Sequence, residues 1–190
     1  AMHPHLVRHP AIFPCLYGAA VALLAAFFFG SLGDHLLDTH DAETFRDNAA
    51  IDRDFAFFFS AEKEQAVGRF TGEFAKWLIS LVADEDPGLF HLTNVAVHAL
   101  VSFVLFFAYR STGFNPVTSA LGGLLFLVNV AHFQAVHWIT QLDYLLGMLC
   151  ALLALLAFDR FLAGGGRPWL ASALLCALLA LGAHAGLCAL

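Results

Sequence analysis

The stretch GLFHLTNVAVHALVSFVLFFAYR, residues 88 to 110, decides the class of this protein. It runs 22 residues before its first Asp, Glu, Lys or Arg side chain, Arg110. A helix of about 20 predominantly apolar residues is what crossing the hydrocarbon core of a bilayer requires. The rest of the chain agrees: of 190 residues 60% are hydrophobic and 13% charged, with a mean hydropathy of +0.76, far beyond a domain that must wet its whole surface. The expected fold is all-α and polytopic, one membrane domain with about five transmembrane helices over 11–32, 88–109, 116–131, 144–162 and 168–190. The first run follows Arg8 as a signal peptide would, but its apolar core exceeds the ~7–15 residues of a signal sequence and no cleavage triplet follows, so it reads as a retained anchor.

Charge is distributed in an orderly way around these runs. Arg8, Arg110, Arg160 and Arg167 flank them on one side, which the positive-inside rule places in the cytoplasm. The segment 33–87 then faces out, and it holds 13 of the 15 acids, so the net charge of −6 belongs to one external surface. An acidic surface repels phosphate backbones, which excludes nucleic acid as a partner. Within that segment AIDRDFAFFFS (50–60) and RFTGEFAKWLISLVA (69–83) mix aromatic and aliphatic residues with charges, the pattern of amphipathic helices lying in the membrane interface. Asp86 followed by Pro87 is a helix start. The four cysteines fall inside apolar runs with no CxxC spacing, so they suggest neither a disulfide framework nor a zinc site.

Residues 88–114 together with ALGGLLFLVNVAHFQAVHWITQLDYLLGMLCALLALLAFDRF, 120–161, resemble the N-terminal membrane region of GT-C-fold glycosyltransferases. The similarity is greatest to the tetratricopeptide-repeat-containing transmembrane O-mannosyltransferases and their bacterial relatives. It is carried by HLTN with a histidine four residues on, and by the His137-Trp138 dipeptide leading into the fourth span. The resemblance implies transfer of a sugar from a polyprenyl-phosphate carrier on the external side; the expected location is a bacterial inner membrane, with the N-terminus placed in the cytoplasm by the flanking arginines. It implies an acidic pair in the first external loop, THDAETFRDN (39–48), where His40 and Asp41 align. Asp41 is then the base or divalent-metal ligand, with His40 beside it, since deprotonating a hydroxyl needs a carboxylate and a hard cation needs oxygen ligands. A His-Pro and a glutamate of the family correspond to Asn129, Val130 and Gln134, and a Ser-Lys-Glu-like tripeptide to Gly182, Ala183 and His184. Gln134, His137 and His184 are thus the side chains left to contact a sugar-phosphate, and glutamine and alanine supply less chemistry than the residues they replace. The family is also much longer than this chain, which leads to the expectation of either a fragment or a shortened relative.

A second signal comes from histidines. His91, Asn94 and His98 recur at i, i+3 and i+7, so they share one face of the second span, where polar groups are turned inward and hydrogen-bonded or functional. A fixed histidine face can ligate haem or chlorophyll; the simpler occupation is an interhelical hydrogen bond. His132 and His137 lie five residues apart, about 140° on a helix, and share a ligand only if that turn is not helical.

Three function classes follow. The preferred one is a non-catalytic, GT-C-derived subunit that packs beside other membrane proteins in the lipid bilayer and needs no cofactor. The second is an active polyprenyl-phosphate-sugar transferase using Asp41 and a divalent metal. The third is a cofactor-binding electron-transfer subunit using His91 and His98. All three share one topology: a cysteine placed at Ser60 is expected to react with a membrane-impermeant reagent from outside, and one at Ser111 only from the cytoplasm. Reaction of both from the same side would sink the five-span arrangement.

Overall fold

The computed structural model describes residues 12–34, 70–83 and 86–183, and their regular structure is entirely helical. Seven α-helices result: α1 (Ile12–Phe29), α2 (Phe70–Ala83), α3 (Pro87–Ser111), α4 (Pro116–Val128), α5 (Phe133–His137), α6 (Leu142–Arg160) and α7 (Arg167–Ala183). Three continuous helical stretches are long and apolar enough to cross a membrane, Ile12–Leu32, Pro87–Ser111 and Ile139–Gly165. The protein is therefore a helical membrane protein. A fourth crossing exists if α4 and the following Val130–His137 segment, bent by 48° at their junction, count as one span; α7 is a shorter apolar helix of 17 residues.

The helix starts are written locally. Asp86 holds an extended backbone and its Oδ1 accepts the Gly88 N–H at 2.9 Å, with Pro87 in the first turn where no N–H is needed. Asn115 and Pro116 repeat the device for α4, Asn115 Oδ1 accepting the Thr118 N–H at 2.9 Å. Between them the chain turns through Gly113 at φ 95°, a left-handed conformation, and the Arg110 guanidinium donates to the Phe114 carbonyl. The GGGRP turn between α6 and α7 uses Gly164 at φ 93° in the same way, ending a single π turn over Phe161–Gly165.

The third expected span, 116–131, departs from a straight helix. Asn129 adopts an extended conformation (φ −71°, ψ 118°) and stops α4 at Val128; a 3₁₀ turn over Val130–His132 and the short α5 follow, until Trp138 is again extended (φ −89°, ψ 124°).

One point ties α1, α3 and α4 together. The Tyr17 hydroxyl donates to the Ser102 carbonyl at 2.9 Å, and Ser102 Oγ donates to the Gly123 carbonyl at 2.8 Å. The Tyr17 ring stacks on Phe106 with centroids 4.9 Å apart. Around it Val21, Ala25, Val95, Phe106 and Leu127 form the core. Apolar burial gives little driving force inside lipid, so close approach over small residues and interhelical hydrogen bonds hold such helices together.

The helix α2 lies across one end of the bundle. Thr71 sits against Gly182 of α7, and Gly72 against Asp143 of α6. Arg110, Arg160 and Arg167 mark helix ends away from α2, at the opposite end. The 70–83 stretch forms a helix on which Gly72, Glu73 and Lys76 are buried, whereas Phe70, Leu78, Leu81 and Val82 are exposed, Val82 by 80%.

A methyl group on Gly123 would strike the Tyr17 hydroxyl and come within 2.8 Å of the Ser102 carbonyl. Gly123→Ala is expected to lower stability in detergent by about 1–3 kcal/mol, the cost of overpacking, while Gly30→Ala, which meets nothing within 4 Å, leaves it unchanged. Thermal or denaturant unfolding followed by circular dichroism measures the difference.

Candidate functional site

Two groups of buried polar side chains stand out among the described residues: a seam along α3 and an ionic cluster beneath α2. His91, Asn94, His98 and Ser102 occupy one face of α3, each no more than 1% exposed. The seam faces the broken segment, and the break explains it. In an unbroken helix the Leu127 carbonyl would receive the Ala131 N–H. Here Asn129 Oδ1 takes that N–H at 3.0 Å, so the carbonyl is released, and His98 Nε2 meets it at 3.1 Å. Asn94 Nδ2 likewise donates to the carbonyl of the second extended residue, Trp138, at 2.7 Å. A buried carbonyl freed from its helix needs another donor, and α3 brings the required side chains in register.

The histidines are sorted in pairs across the same seam. The His91 ring faces His137 with centroids 6.0 Å apart, and His98 faces His132 at 5.7 Å. His132 and His137 therefore do not converge on one point, and neither do His91 and His98. The shared face expected of His91 and His98 exists, but it serves two separate partners. Among the described residues no group of three or more His, Cys, Asp or Glu side chains is placed to hold a metal ion.

The ionic cluster lies where α2 docks. Lys76 Nζ is 3.0 Å from Glu73 Oε1 and 3.1 Å from Asp143 Oδ1, with the lysine 3% exposed and Asp143 fully buried. A buried ion pair tolerates the loss of both partners far better than the loss of one, because a single remaining charge has neither water nor counter-ion. Gly72 is part of the arrangement, since a Cβ there would collide with the Asp143 carboxylate.

The residues singled out from the sequence are divided by this geometry. His40, Asp41 and His184 lie outside the described residues, as does the 50–60 stretch. Gln134 is exposed on α5, and His137 is half-buried beside His91. Sequence reasoning missed Lys76 and Asp143. Two signals were present: Glu73 and Lys76 stand at i, i+3 on a short helix, and Asp143 is the sole acid between Pro87 and Phe158. Comparison with known proteins yields no matching family, no matching curated protein and no matching solved structure.

Lys76→Met, which leaves two carboxylates in a buried site, is expected to cost about 3–5 kcal/mol and to release α2, seen as faster amide hydrogen exchange over 70–83 with α3 unchanged. Lys76→Arg, which keeps the charge, recovers most of the protection.

Proposed function

We propose that this protein is a non-catalytic, GT-C-derived integral membrane subunit that packs as an accessory component within a larger membrane assembly. The observation that supports it is the occupation of the polar seam: Asn94, His98 and Ser102 spend their hydrogen bonds on the backbone carbonyls of Trp138, Leu127 and Gly123. Side chains committed to backbone in this way build a rigid helical unit. The outward faces of α4 and α7 offer Leu121, Leu125, Leu174, Leu175 and Leu178 to lipid or to neighbouring helices. On this reading the chain sits in a bacterial inner membrane with its arginine-bearing end in the cytoplasm and α2 on the outer surface, its apolar residues in the interface.

The second reading, a polyprenyl-phosphate-sugar transferase, is favoured by the ionic cluster. A lysine held between two carboxylates lies at the end of the bundle where the chain leaves for 35–69, the segment bearing Asp41. A fixed cation near a carboxylate base is useful where a phosphate group departs. The two readings separate in one experiment. Membranes containing the protein are solubilised in mild detergent, and the extract is assayed both for its native size and for sugar transfer from a polyprenyl-phosphate donor. The subunit reading expects a complex well above the 20.6 kDa chain mass and no transfer that depends on Asp41. Transfer lost by about 10²-fold or more in Asp41→Asn would establish the transferase instead.

A further inference from the structure

His98 carries a feature that its structural duty leaves over. A backbone carbonyl accepts hydrogen bonds and cannot donate them, so the His98 Nε2 atom facing the Leu127 carbonyl at 3.1 Å carries the ring proton. In the neutral ring Nδ1 is then a bare lone pair. It is buried and has no hydrogen-bond partner among the described residues. A histidine that donates one ring N–H to a backbone carbonyl and presents the other nitrogen as a lone pair has the arrangement found around metal-ligating imidazoles, where the carbonyl fixes tautomer and ring orientation.

A second imidazole is in place. With nitrogen to metal distances of about 2.0–2.1 Å, a ring centroid stands about 3.2 Å from a bound ion. Two imidazoles sharing one ion at that distance have centroids no more than about 6.4 Å apart, and the His98 and His132 centroids, 5.7 Å apart, fall within that reach. Phe29 and Phe126 pack on the His98 ring, and Phe126 also lies 4.3 Å from the His132 ring, an apolar surround that strengthens metal-ligand interactions. Access exists on the other side: Asn129, Val130 and Ala131 at the break are exposed, Val130 by 84%. His91 and His137 form a pair of similar spacing, but both hold further contacts.

We propose that His98 and His132 form an open, two-imidazole site for a transition-metal ion, copper(I) or zinc, at the break between α4 and α5. Imidazole suits both metals, and the positions left open take solvent or a small ligand. The site is independent of whether the chain is a subunit or a transferase.

The test uses the full chain, purified in detergent without a polyhistidine tag and with His3, His5 and His9 replaced by alanine so that the N-terminal tract does not bind metal. Zn²⁺, and separately Cu(I) under anaerobic conditions, are titrated against a chromophoric chelator. One equivalent of at least one of the two metals is expected to bind. His98→Gln, whose amide can still donate to the Leu127 carbonyl, and His132→Ala are each expected to weaken binding at least about tenfold, with the helical circular dichroism retained. His91→Gln and His137→Gln leave it unchanged. Absence of binding of both metals, binding that survives either His98→Gln or His132→Ala, or an equal loss in the His91 variant would overturn the assignment and leave the two rings as packing only. His132→Ala keeps the test decisive even if His98→Gln fails to fold, because the His132 side chain makes no hydrogen bond among the described residues.

Discussion

A carbonyl released on a buried residue must find another donor, and much of this structure is arranged around that constraint. The extended backbone at Asn129 diverts the Ala131 N–H to its own side chain and frees the Leu127 carbonyl. His98 answers it from the neighbouring helix, as Asn94 answers Trp138. The polar face of α3 and the broken span are thus one feature. A straight α4 would leave Asn94 and His98 without these acceptors, and an apolar α3 would leave the break unsatisfied.

The same logic sets how closely the helices approach. Ser102, one turn further along α3 from His98, donates to Gly123 and receives Tyr17 on its carbonyl, so that three helices meet where only a glycine leaves room. The order along α3 is then functional in a mechanical sense: residues near its start hold the broken segment, and residues near its middle hold α1 and α4. Because these bonds run to backbone, they fix helix position without requiring a particular partner side chain, and the surrounding apolar residues fill volume.

The helix α2 is secured differently. Its inward side is charged and its outward side apolar, which is the reverse of a helix on a water-soluble core. Leu78, Leu81 and Val82 lie on the outside, while Lys76 is held between Glu73 and Asp143 within. Docking of this kind is specific, since it needs three charges in register, and it is sensitive, since each charge depends on the others.

Membrane class, the approximate helical runs and the capped helix starts at Asp86-Pro87 and Asn115-Pro116 were legible in the chain itself, because hydropathy, proline and capping side chains act over a few residues. So was the face shared by His91, Asn94 and His98, a matter of helical period alone. The partners of that face were not legible. Whether His98 meets a cofactor, a second histidine or a freed carbonyl depends on where residue 127 lies, 29 positions further along, and nothing local to either residue encodes it. Lys76 and Asp143, 67 positions apart, look like an exposed interfacial charge and a helix-terminal acid until α2 is laid on α6. Local interactions are set by neighbours in sequence; the meaning of a buried polar group is set by whatever the fold brings to it, since its energy depends on the partner and on the exclusion of water together.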